Sequence, residues 1–559
     1  MDDLEGLLKG QKIAFFSMEV GLTNDIPTYA GGLGILAGDT IRSSADLRLP
    51  LVAVTLISKK GFFRQELTPE GKQIEHVQEW DPSKYMKLLP AEISVHIQGR
   101  EVKVKAWLYR LQSVTGGVVP VLFLDTDVEG NTPEDREITF FLYGGDQRYC
   151  IKHEVDLGIG GVRMLDALGF KIRKYHINEG HGSFLALELF HKHEMDTDKV
   201  RELCVFTTHT PVEAGHDKFH YDLVKEILDG TADMDALKKF GGNDNLNMTL
   251  LALNLSNYVN GVAKQHREVS QRMFAGYEIH AVTNGIHSFM WTGESYRKLY
   301  DKYLPGWANE PELLARVADL ISHEEIWQAH KEQKKILIDY VNELTHVGMN
   351  YDTFTLGFAR RATEYKRARL LFSDLERLKK INKKGKLQII FAGKAHPRDT
   401  QGKKLIETLF SYANELKPDI KMVYLENYDI NMATKLVTGV DVWLNTPLKP
   451  LEASGTSGMK AAHNGVLNFS VLDGWWVEGW IEGVTGWSIG PHPNEGLDIQ
   501  EGYQKEVEDL YNKLEYVIIP MFYYRRDDWV RMMKKNIGKI AYYFNSHRMM
   551  RRYVTEAYL

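Results

Sequence analysis

One lysine, Lys460, stands at the end of the small-residue segment EASGTSGMK (452–460), shortly after the apolar run VDVWLNTP (440–447). Small residues at the end of a strand leave open space, and their amides and hydroxyls would face it. A helix that starts there favours a bound phosphate, and a lysine removed from water can condense with an aldehyde. A lysine near a helix start is usually a surface residue, but this setting is what pyridoxal phosphate requires. The small residues are Ser454, Gly455, Thr456, Ser457 and Gly458.

A basic cluster follows the apolar run FTLGFAR (354–360) in the segment RRATEYKRAR (360–369). Arginine can hold a phosphate through two parallel hydrogen bonds, and lysine adds a point charge beside it. A solvated helix face would have a similar composition. The position of Arg361 where a strand ends favours phosphate, because doubly wound sheets bind ligands at that end. The basic residues are Arg360, Arg361, Lys366, Arg367 and Arg369.

Glycines are concentrated in the segment TYAGGLGILAGD (28–39), which follows the first apolar run. Gly31, Gly32 and Gly34 would let the backbone approach an anion closely, with amides directed at it. Ordinary turn and packing chemistry is the more frequent reason for such a cluster, so this motif alone assigns no function.

Histidines and carboxylates lie in two further loops, INEGHGSF (177–184) and TTHTPVEAGHDKF (207–219). They raise the question of a metal, but neither an HExxH motif nor paired CxxC motifs are present. We therefore expect no metal site, and polar residues that line a sugar-binding cleft account for the pattern. The histidines are His176, His181, His209 and His216.

Strand-like runs position all of these motifs, and they alternate with longer segments of helical period. This alternation predicts an α/β fold with parallel sheets covered by helices. The predicted strands are 12–20, 51–58, 119–127, 174–180, 203–210 and 279–286, then 354–360, 387–395, 420–428, 440–447 and 466–473.

Length and composition bound the remaining possibilities. At 559 residues the chain exceeds what one hydrophobic core usually supports, so two large domains are expected. The net charge of -6 predicts no general attraction to nucleic acid or to an anionic membrane. Only two cysteines, Cys150 and Cys204, and an acidic start without a signal sequence indicate a cytoplasmic protein.

The motifs together resemble those of the α-glucan (glycogen, starch and maltodextrin) phosphorylases, in particular the short bacterial and archaeal forms. Several matched segments in one order are more specific than any single motif. The matching segments are GGLG (31–34), INEGHG (177–182), THTPVEAGHD (208–217), TNGI (283–286), RRATEYKR (360–367), GKAHP (393–397) and EASGTSGMK (452–460).

The resemblance implies roles for individual residues. Lys460 would form the Schiff base to pyridoxal 5'-phosphate, and the main-chain carbonyl of His209 would lie near the anomeric carbon. The implied catalytic residues are Lys460, Arg361, Lys366 and His209. The implied cofactor-binding residues are Lys460, Lys366, Thr456, Ser457, Gly458 and Gly32. The implied substrate-binding residues are Gly31, Gly32, Arg361, Arg360, Asn284, Glu452, Ser454, Gly455 and His209, with no metal ligand among them.

The resemblance also implies an architecture and a reaction. Two Rossmann-like domains would face each other across a cleft, as in the GT-B glycosyltransferases, with limits at 1–285 and 286–525. Residues 526–559 would form a helical segment that packs back on the N-terminal domain. Phosphorolysis of glycogen, starch or maltodextrin by inorganic phosphate would give glucose 1-phosphate with retained configuration. A homodimer or higher homo-oligomer, and no partnership with nucleic acid or membrane, are expected.

Some residues depart from the pattern of the family. Arg360 stands where many relatives have lysine, Thr363 replaces a histidine, and Ser457-Gly458 replaces a Gly-Asn pair. These departures concern substrate contacts more than the reacting groups. The long N-terminal extension of regulated relatives is not present before the first strand, so control by phosphorylation or nucleotides is not expected.

Three alternatives remain open at this stage. A glycogen or starch synthase shares the architecture and a glutamate like Glu452, but typically has a second glutamate where Lys460 stands. A catalytically silent glucan-binding protein would have no use for two phosphate sites. An aminotransferase-like enzyme would have its cofactor lysine in a different sequence setting.

Overall fold

The computed structural model describes residues 6–230, 233–495 and 499–559, so residues 1–5 of the acidic start lie outside the described residues. The fold is α/β, as the sequence predicts. The strands are β1 (Gln11–Ser17), β2 (Leu51–Leu56), β3 (Arg64–Leu67), β4 (Gln73–His76), β5 (Lys87–Ile97), β6 (Arg100–Gln112), β7 (Val118–Asp125), β8 (Lys171–Asn178), β9 (Cys204–Thr207), β10 (Lys218–His220), β11 (Asn245–Asn247), β12 (Tyr258–Gly261), β13 (His280–Ala281), β14 (Phe354–Ala359), β15 (Leu387–Ala392), β16 (Lys421–Leu425), β17 (Val442–Asn445), β18 (Leu467–Val471) and β19 (Gly486–Ile489).

Helices follow most of these strands, as parallel pairing requires. They are α1 (Gly32–Asp46), α2 (Pro133–Arg136), α3 (Gln147–Val155), α4 (Gly161–Ala167), α5 (Phe184–Lys192), α6 (Thr197–Leu203), α7 (Tyr221–Leu228), α8 (Met234–Gly241), α9 (Met248–Asn254), α10 (Lys264–Met273), α11 (Ser288–Trp291), α12 (Glu294–Tyr303), α13 (Val317–Leu320), α14 (His323–Thr345), α15 (Leu375–Lys384), α16 (Thr400–Leu416), α17 (Ile430–Gly439), α18 (Ser457–Ala462), α19 (Trp476–Gly479), α20 (Ile499–Lys513), α21 (Ile519–Tyr524), α22 (Arg526–Asn536) and α23 (Ser546–Tyr553). Within the described part of the chain, none of them is long and apolar enough to cross a membrane.

The chain forms two compact units. The first unit contains the described residues up to Phe63, then Val77–Thr283 and Met549–Leu559. Its sheet has the order β13-β12-β9-β8-β1-β2-β7-β6-β5, in which only the β7-β6 and β6-β5 pairs are antiparallel. Buried and more exposed residues alternate along β6, as expected for a strand with one buried face. All residues of β2 and β9 are buried.

The second unit contains Arg64–His76 and Asn284–Arg548. Its sheet has the order β16-β15-β14-β17-β18-β19, and all of these strands are parallel. Every residue of β14 and of β15 is buried, which explains why FTLGFA and LQIIFA are apolar without alternation. The carboxyl end of β14 therefore lies between the carboxyl ends of β15 and β17.

The limits of these units differ from those expected at 285/286 and 525/526. The β3–β4 hairpin, which lies early in the sequence, belongs to the second unit, and residues 526–548 also do. Only residues 549–559 of the expected C-terminal segment join the first unit. Short runs such as β3, β4 and β10–β12 are too brief to be recognised by their periodicity.

Candidate active site

The carboxylate of Glu452 brings the basic cluster and the EASG segment of the second unit together. Its Oε2 accepts hydrogen bonds from Arg360 Nη2 at 2.6 Å and from Lys366 Nζ at 2.7 Å. The three side chains are nearly buried, with exposed fractions of 9 to 12%. Burial alone would raise the pKa of Glu452, but Arg360 and Lys366 hold it at about 2. One carboxylate thus stays ionised between two cations.

Asp473 fixes the main chain of this carboxylate-bearing segment. Its Oδ2 accepts a hydrogen bond from the amide of Glu452 at 2.9 Å, and its Oδ1 accepts one from Gly474. The amide of Trp475 donates to the carbonyl of Ser454 at 2.9 Å. Burial and then the charge of Glu452 raise the pKa of Asp473 to about 7. Asp473 was not singled out from the sequence, because it lies after the following strand.

Two guanidinium nitrogens of Arg360 donate to no group in the described part of the chain. Its Nε and Nη1 are buried without a hydrogen-bond partner among the described residues, as is the hydroxyl of Thr363. Arg361, the next residue, is exposed. An unpaired guanidinium edge is costly unless a ligand satisfies it, and phosphate oxygens suit it well.

The remaining two arginines of the cluster have other roles. Arg367 binds Glu506 and donates to the carbonyls of Thr446 and Pro447, which secures the loop to the end of β17. Arg369 is exposed and lies 3.5 Å from a carboxylate oxygen of Glu364. Arg367 therefore supports the fold, whereas Arg369 makes only a surface ion pair.

Lys460 lies in the short helix α18 and is buried, with 7% of its surface exposed. Its Nζ stands 3.8 Å from the centre of the Trp291 ring. The side-chain amide of Asn464 donates to the carbonyls of Lys460 and Trp291, and its oxygen accepts from the amide of Gly293. This buried amide couples the lysine helix to the segment that carries the ring.

The small residues that surround Lys460 have distinct contacts. Thr456 precedes α18 without capping it through its side chain, and Ser457 Oγ accepts a hydrogen bond from Trp443 at 3.0 Å. A Cβ added to Gly458 would lie 2.3 Å from Asn468 Oδ1, so this position requires glycine. Gly455 has a φ of 74°, in the region that favours glycine.

Asn284, which begins the longer of the two segments of the second unit, is also buried. Its Oδ1 has no hydrogen-bond partner among the described residues, and its carbonyl accepts a hydrogen bond from Arg548. The unpaired oxygen is available to a hydroxyl donor.

In the first unit, Glu19 holds the glycine loop. Its Oε2 accepts hydrogen bonds from the amides of Ala30 at 2.6 Å and Gly31 at 3.0 Å. The amide of Gly31 is therefore already engaged, but a Cβ added to Gly31 or Gly32 would meet no atom within 4 Å. The glycines border open space. Glu19 was missed from the sequence because the predicted strand 12–20 included it, whereas the observed β1 ends at Ser17.

Glu179 organises the loop that carries His209. It accepts hydrogen bonds from the amide of His209 at 2.7 Å, from Thr210 Oγ1 at 2.9 Å and from the amide of Gly180 at 3.0 Å. The ring of His209 bonds to Asn178 Oδ1 at 2.8 Å. Burial lowers the pKa of His209 to about 4, so the ring is neutral at physiological pH.

The other three histidines singled out from the sequence contact residues of the first unit. His176 bonds to Tyr558 and Thr207, and His216 bonds to Thr249. His181 lies 3.4 Å from Asp217. No group of residues with the composition of a metal site is found in the described ranges of the chain.

Comparisons with known proteins identify the family. A family model described as "Phosphorylase: Carbohydrate phosphorylase" matches residues 212–484. The chain is 39% identical to a maltodextrin phosphorylase of Thermococcus litoralis, with 98% of this chain and 70% of that protein covered. It is 36% identical to a glycogen phosphorylase of Aquifex aeolicus, with 98% and 86% covered. A glycogen phosphorylase of Mycobacterium tuberculosis is also 36% identical, with 98% and 70% covered.

The chain belongs to the carbohydrate phosphorylase family. The resemblance found in the sequence is confirmed, and the relatives do not favour the synthase alternative.

Proposed function

We propose that this protein is an α-1,4-glucan phosphorylase. It would catalyse the reversible phosphorolysis of the non-reducing end of glycogen or maltodextrin by inorganic phosphate, to give α-D-glucose 1-phosphate with retained configuration. The observation that carries the proposal is the shared carboxylate of Glu452, which holds Arg360 and Lys366 side by side next to Arg361. This arrangement places three positively charged side chains close together, and such a cluster can bind phosphate.

The residues present fit pyridoxal 5'-phosphate. Lys460 supplies a buried amine against an aromatic ring, and Lys366 supplies a buried cation for the phosphate group. Thr456, Ser457 and Gly458 leave only small side chains at the start of α18. When bound, the cofactor would supply a second phosphate group that exchanges a proton with the substrate phosphate near neutral pH.

The protein's own groups would bind and neutralise the substrate phosphate. Arg361 of the second unit would hold it, and the unpaired donors of Arg360 would add to the local field. In the first unit, we propose the glycine loop at Gly31 and Gly32 as a phosphate-binding loop. Fixed charges in a water-poor site reduce the repulsion between two phosphates more than mobile water does. No pair of glycosidase carboxylates is then required, because phosphate serves as nucleophile and proton donor.

The glucose unit would be held by uncharged and ionised oxygen acceptors. Glu452, Ser454, Gly455 and Asn284 would bind its hydroxyl groups, and the carbonyl of His209 would stabilise positive charge at the anomeric carbon. The neutral state of the His209 ring is compatible with this role, because a cationic ring would oppose a cationic transition state.

Incubation with maltodextrin and inorganic phosphate, with glucose 1-phosphate followed, tests the proposal. The parent should release glucose 1-phosphate, and Lys460→Ala should lower the rate at least about a thousandfold. Lys404→Ala, at a lysine that is 71% exposed, is the matched control and should retain activity. Equal rates in the parent and Lys460→Ala would refute the assignment.

A chemical readout separates the cofactor from the reaction. Borohydride reduction and peptide mapping should place the pyridoxyl label on Lys460 in the parent. A label on another amine would contradict the proposed role of this lysine. Use of ADP-glucose or UDP-glucose without bound pyridoxal phosphate would instead favour a synthase.

The cellular setting and assembly are also proposals. Neither Cys150 nor Cys204 is in a disulfide, which supports a reducing, cytoplasmic environment. A homodimer or higher homo-oligomer follows the general prevalence of symmetric assemblies. Light scattering on the purified protein measures the mass directly, and a monomer at micromolar concentration would contradict the second proposal.

A further inference from the structure

The β3–β4 hairpin leaves the first unit of the chain and packs within the second. Its residues Gln65 and Gln73 are nearly or fully buried, at 0% and 9% exposure. Glutamine is rarely buried, and a buried amide needs partners for its oxygen and its nitrogen. Both glutamines find these partners at the segment GKAHP (393–397), which the sequence matched to the family without a role.

The two side chains bind both sides of this segment. Gln73 Nε2 donates to the carbonyl of Ala395 at 2.9 Å, and the amide of Ala395 donates back to Gln73 Oε1 at 3.0 Å. Gln65 Nε2 donates to the carbonyl of Gly393 at 3.0 Å and to Gln73 Oε1 at 2.8 Å. The glutamines thus act as one connected unit.

A second contact holds Gln65 in this orientation. Its Oε1 accepts a hydrogen bond from the amide of Asn427 at 2.8 Å, and its own amide donates to Asn427 Oδ1 at 3.1 Å. The main-chain amide and the side-chain amide of Gln65 are therefore both hydrogen-bonded.

The opposite side of the same segment holds the arginine pair. The amide of Arg360 donates to the carbonyl of Ala392 at 3.2 Å, and the amide of Ala362 donates to the carbonyl of Lys394 at 3.0 Å. Arg361 lies between these two hydrogen bonds. A Cβ added to Gly393 would stand 2.0 Å from the carbonyl oxygen of Arg360, so the two main chains touch.

Apolar packing reinforces the connection. Ala362, Ala395 and Ile406 form a small buried cluster, and Leu67 of the hairpin packs against it. A displacement of the hairpin would be transmitted through a close-packed contact as well as through hydrogen bonds.

We propose that Gln65 and Gln73 are positioning residues that fix the main chain of Arg361 for use of inorganic phosphate. This inference rests on the proposed function, because it assigns the phosphate to Arg361. The glutamines act through the segment 393–395 and have no assigned contact with substrate. A purely structural hairpin would affect stability but not discriminate between the two substrates.

Gln73→Met and Gln65→Met test the inference, because methionine has a similar length and forms neither amide hydrogen bond. Each should raise the KM for phosphate about tenfold and leave the KM for maltodextrin within about twofold. Ile74→Ala, on the exposed face of the same hairpin at 41% exposure, is the matched control and should change neither constant.

Two readouts do not depend on turnover. Calorimetric titration with inorganic phosphate alone should show weaker binding by Gln73→Met than by Ile74→Ala. Hydrogen exchange should be faster at the amides of Arg360 and Ala362 in Gln73→Met, with the rest of the sheet unchanged.

The outcomes separate this inference from the proposed function. A parent that makes no glucose 1-phosphate would refute the function, while phosphate binding and exchange would still test the positioning. An active parent with variants that match Ile74→Ala in phosphate KM and in exchange would overturn the positioning. Variants with a lower unfolding temperature but unchanged phosphate KM would overturn it too.

Discussion

The buried carboxyl groups of the two units are handled differently. In the second unit, Glu452 is ionised and shared by Arg360 and Lys366, and its pKa falls to about 2. In the first unit, both carboxyl oxygens of Asp156 are buried without a partner among the described residues, and burial raises its pKa to about 8. Asp156 is therefore neutral at physiological pH while Glu452 is not.

The histidines extend this contrast. Burial lowers the pKa of His153 and His209 in the first unit to about 4, so their rings are uncharged near neutral pH. The first unit thus contains buried side chains that are uncharged near neutral pH, whereas the second unit keeps Glu452 ionised between two cations.

Removal of the shared carboxylate should have the largest effect. In Glu452→Ala, Arg360 and Lys366 would remain buried beside each other without their counter-charge. We expect a loss of about 3 kcal/mol in the free energy of unfolding and loss of glucose 1-phosphate release. Urea denaturation and the phosphorolysis assay measure the two effects.

The control for this variant is Glu294→Ala, which breaks the exposed ion pair with Lys298. It should change neither stability nor activity measurably. If Glu452→Ala were equally harmless, the ion pairs would not be what distinguishes the second unit.

Arg361→Ala should have the next largest effect. Its loss should lower kcat/KM for phosphate about a hundredfold and leave the KM for maltodextrin within about twofold, because the side chain is exposed and supports phosphate rather than the fold. Arg369→Ala, at another exposed arginine of the same segment, is the matched control. An unchanged phosphate dependence in Arg361→Ala would remove Arg361 from the site.

Asp156→Asn should remove a pH dependence of stability that the parent protein has. The folded pKa of Asp156, about 8, lies above the unfolded value of about 3.9, so the folded state retains the proton between these values. Stability from this group is present at low pH and falls as the pH rises towards 8. Between pH 6 and pH 9 the parent should lose about 3 kcal/mol more than Asp156→Asn.

Urea denaturation of both proteins at the two pH values measures this difference. Other groups titrate equally in both proteins and cancel in the comparison. A parallel pH dependence of the two proteins would show that Asp156 is ionised or paired in the folded state.

The sequence predicted those features that depend on residues close together in the chain. The strands that carry the site, and the basic and small-residue segments at their ends, follow from apolar runs and the residues directly after them. The structure brings Arg360, Lys366 and Glu452 together, as parallel strands β14 and β17 are neighbours in the sheet. Their roles towards cofactor and substrate remain proposals.

Hydrogen-bond partners that lie in other segments of the chain could not be predicted in the same way. Glu19 binds the glycine loop, Asp473 binds the amide of Glu452, and Gln73 binds Ala395. The first two contacts join residues 12 and 21 positions apart, across turns that hydrophobic periodicity does not describe, and the third joins residues 322 positions apart. Nothing in the pattern of Gln73 or its neighbours identifies a partner more than three hundred positions away.

The smallest expected effect concerns the C-terminal residues of the first unit. Tyr558 OH and His176 Nδ1 are 2.6 Å apart, and burial lowers the pKa of His176 to about 3, so this is a neutral hydrogen bond. Tyr558→Phe should lower the free energy of unfolding by about 1 kcal/mol and leave phosphorolysis unchanged. Tyr524→Phe, at a tyrosine that is 75% exposed, is the matched control. A loss of activity in Tyr558→Phe without a loss of stability would mean that these residues contribute to the reaction rather than to the neutral framework of the first unit.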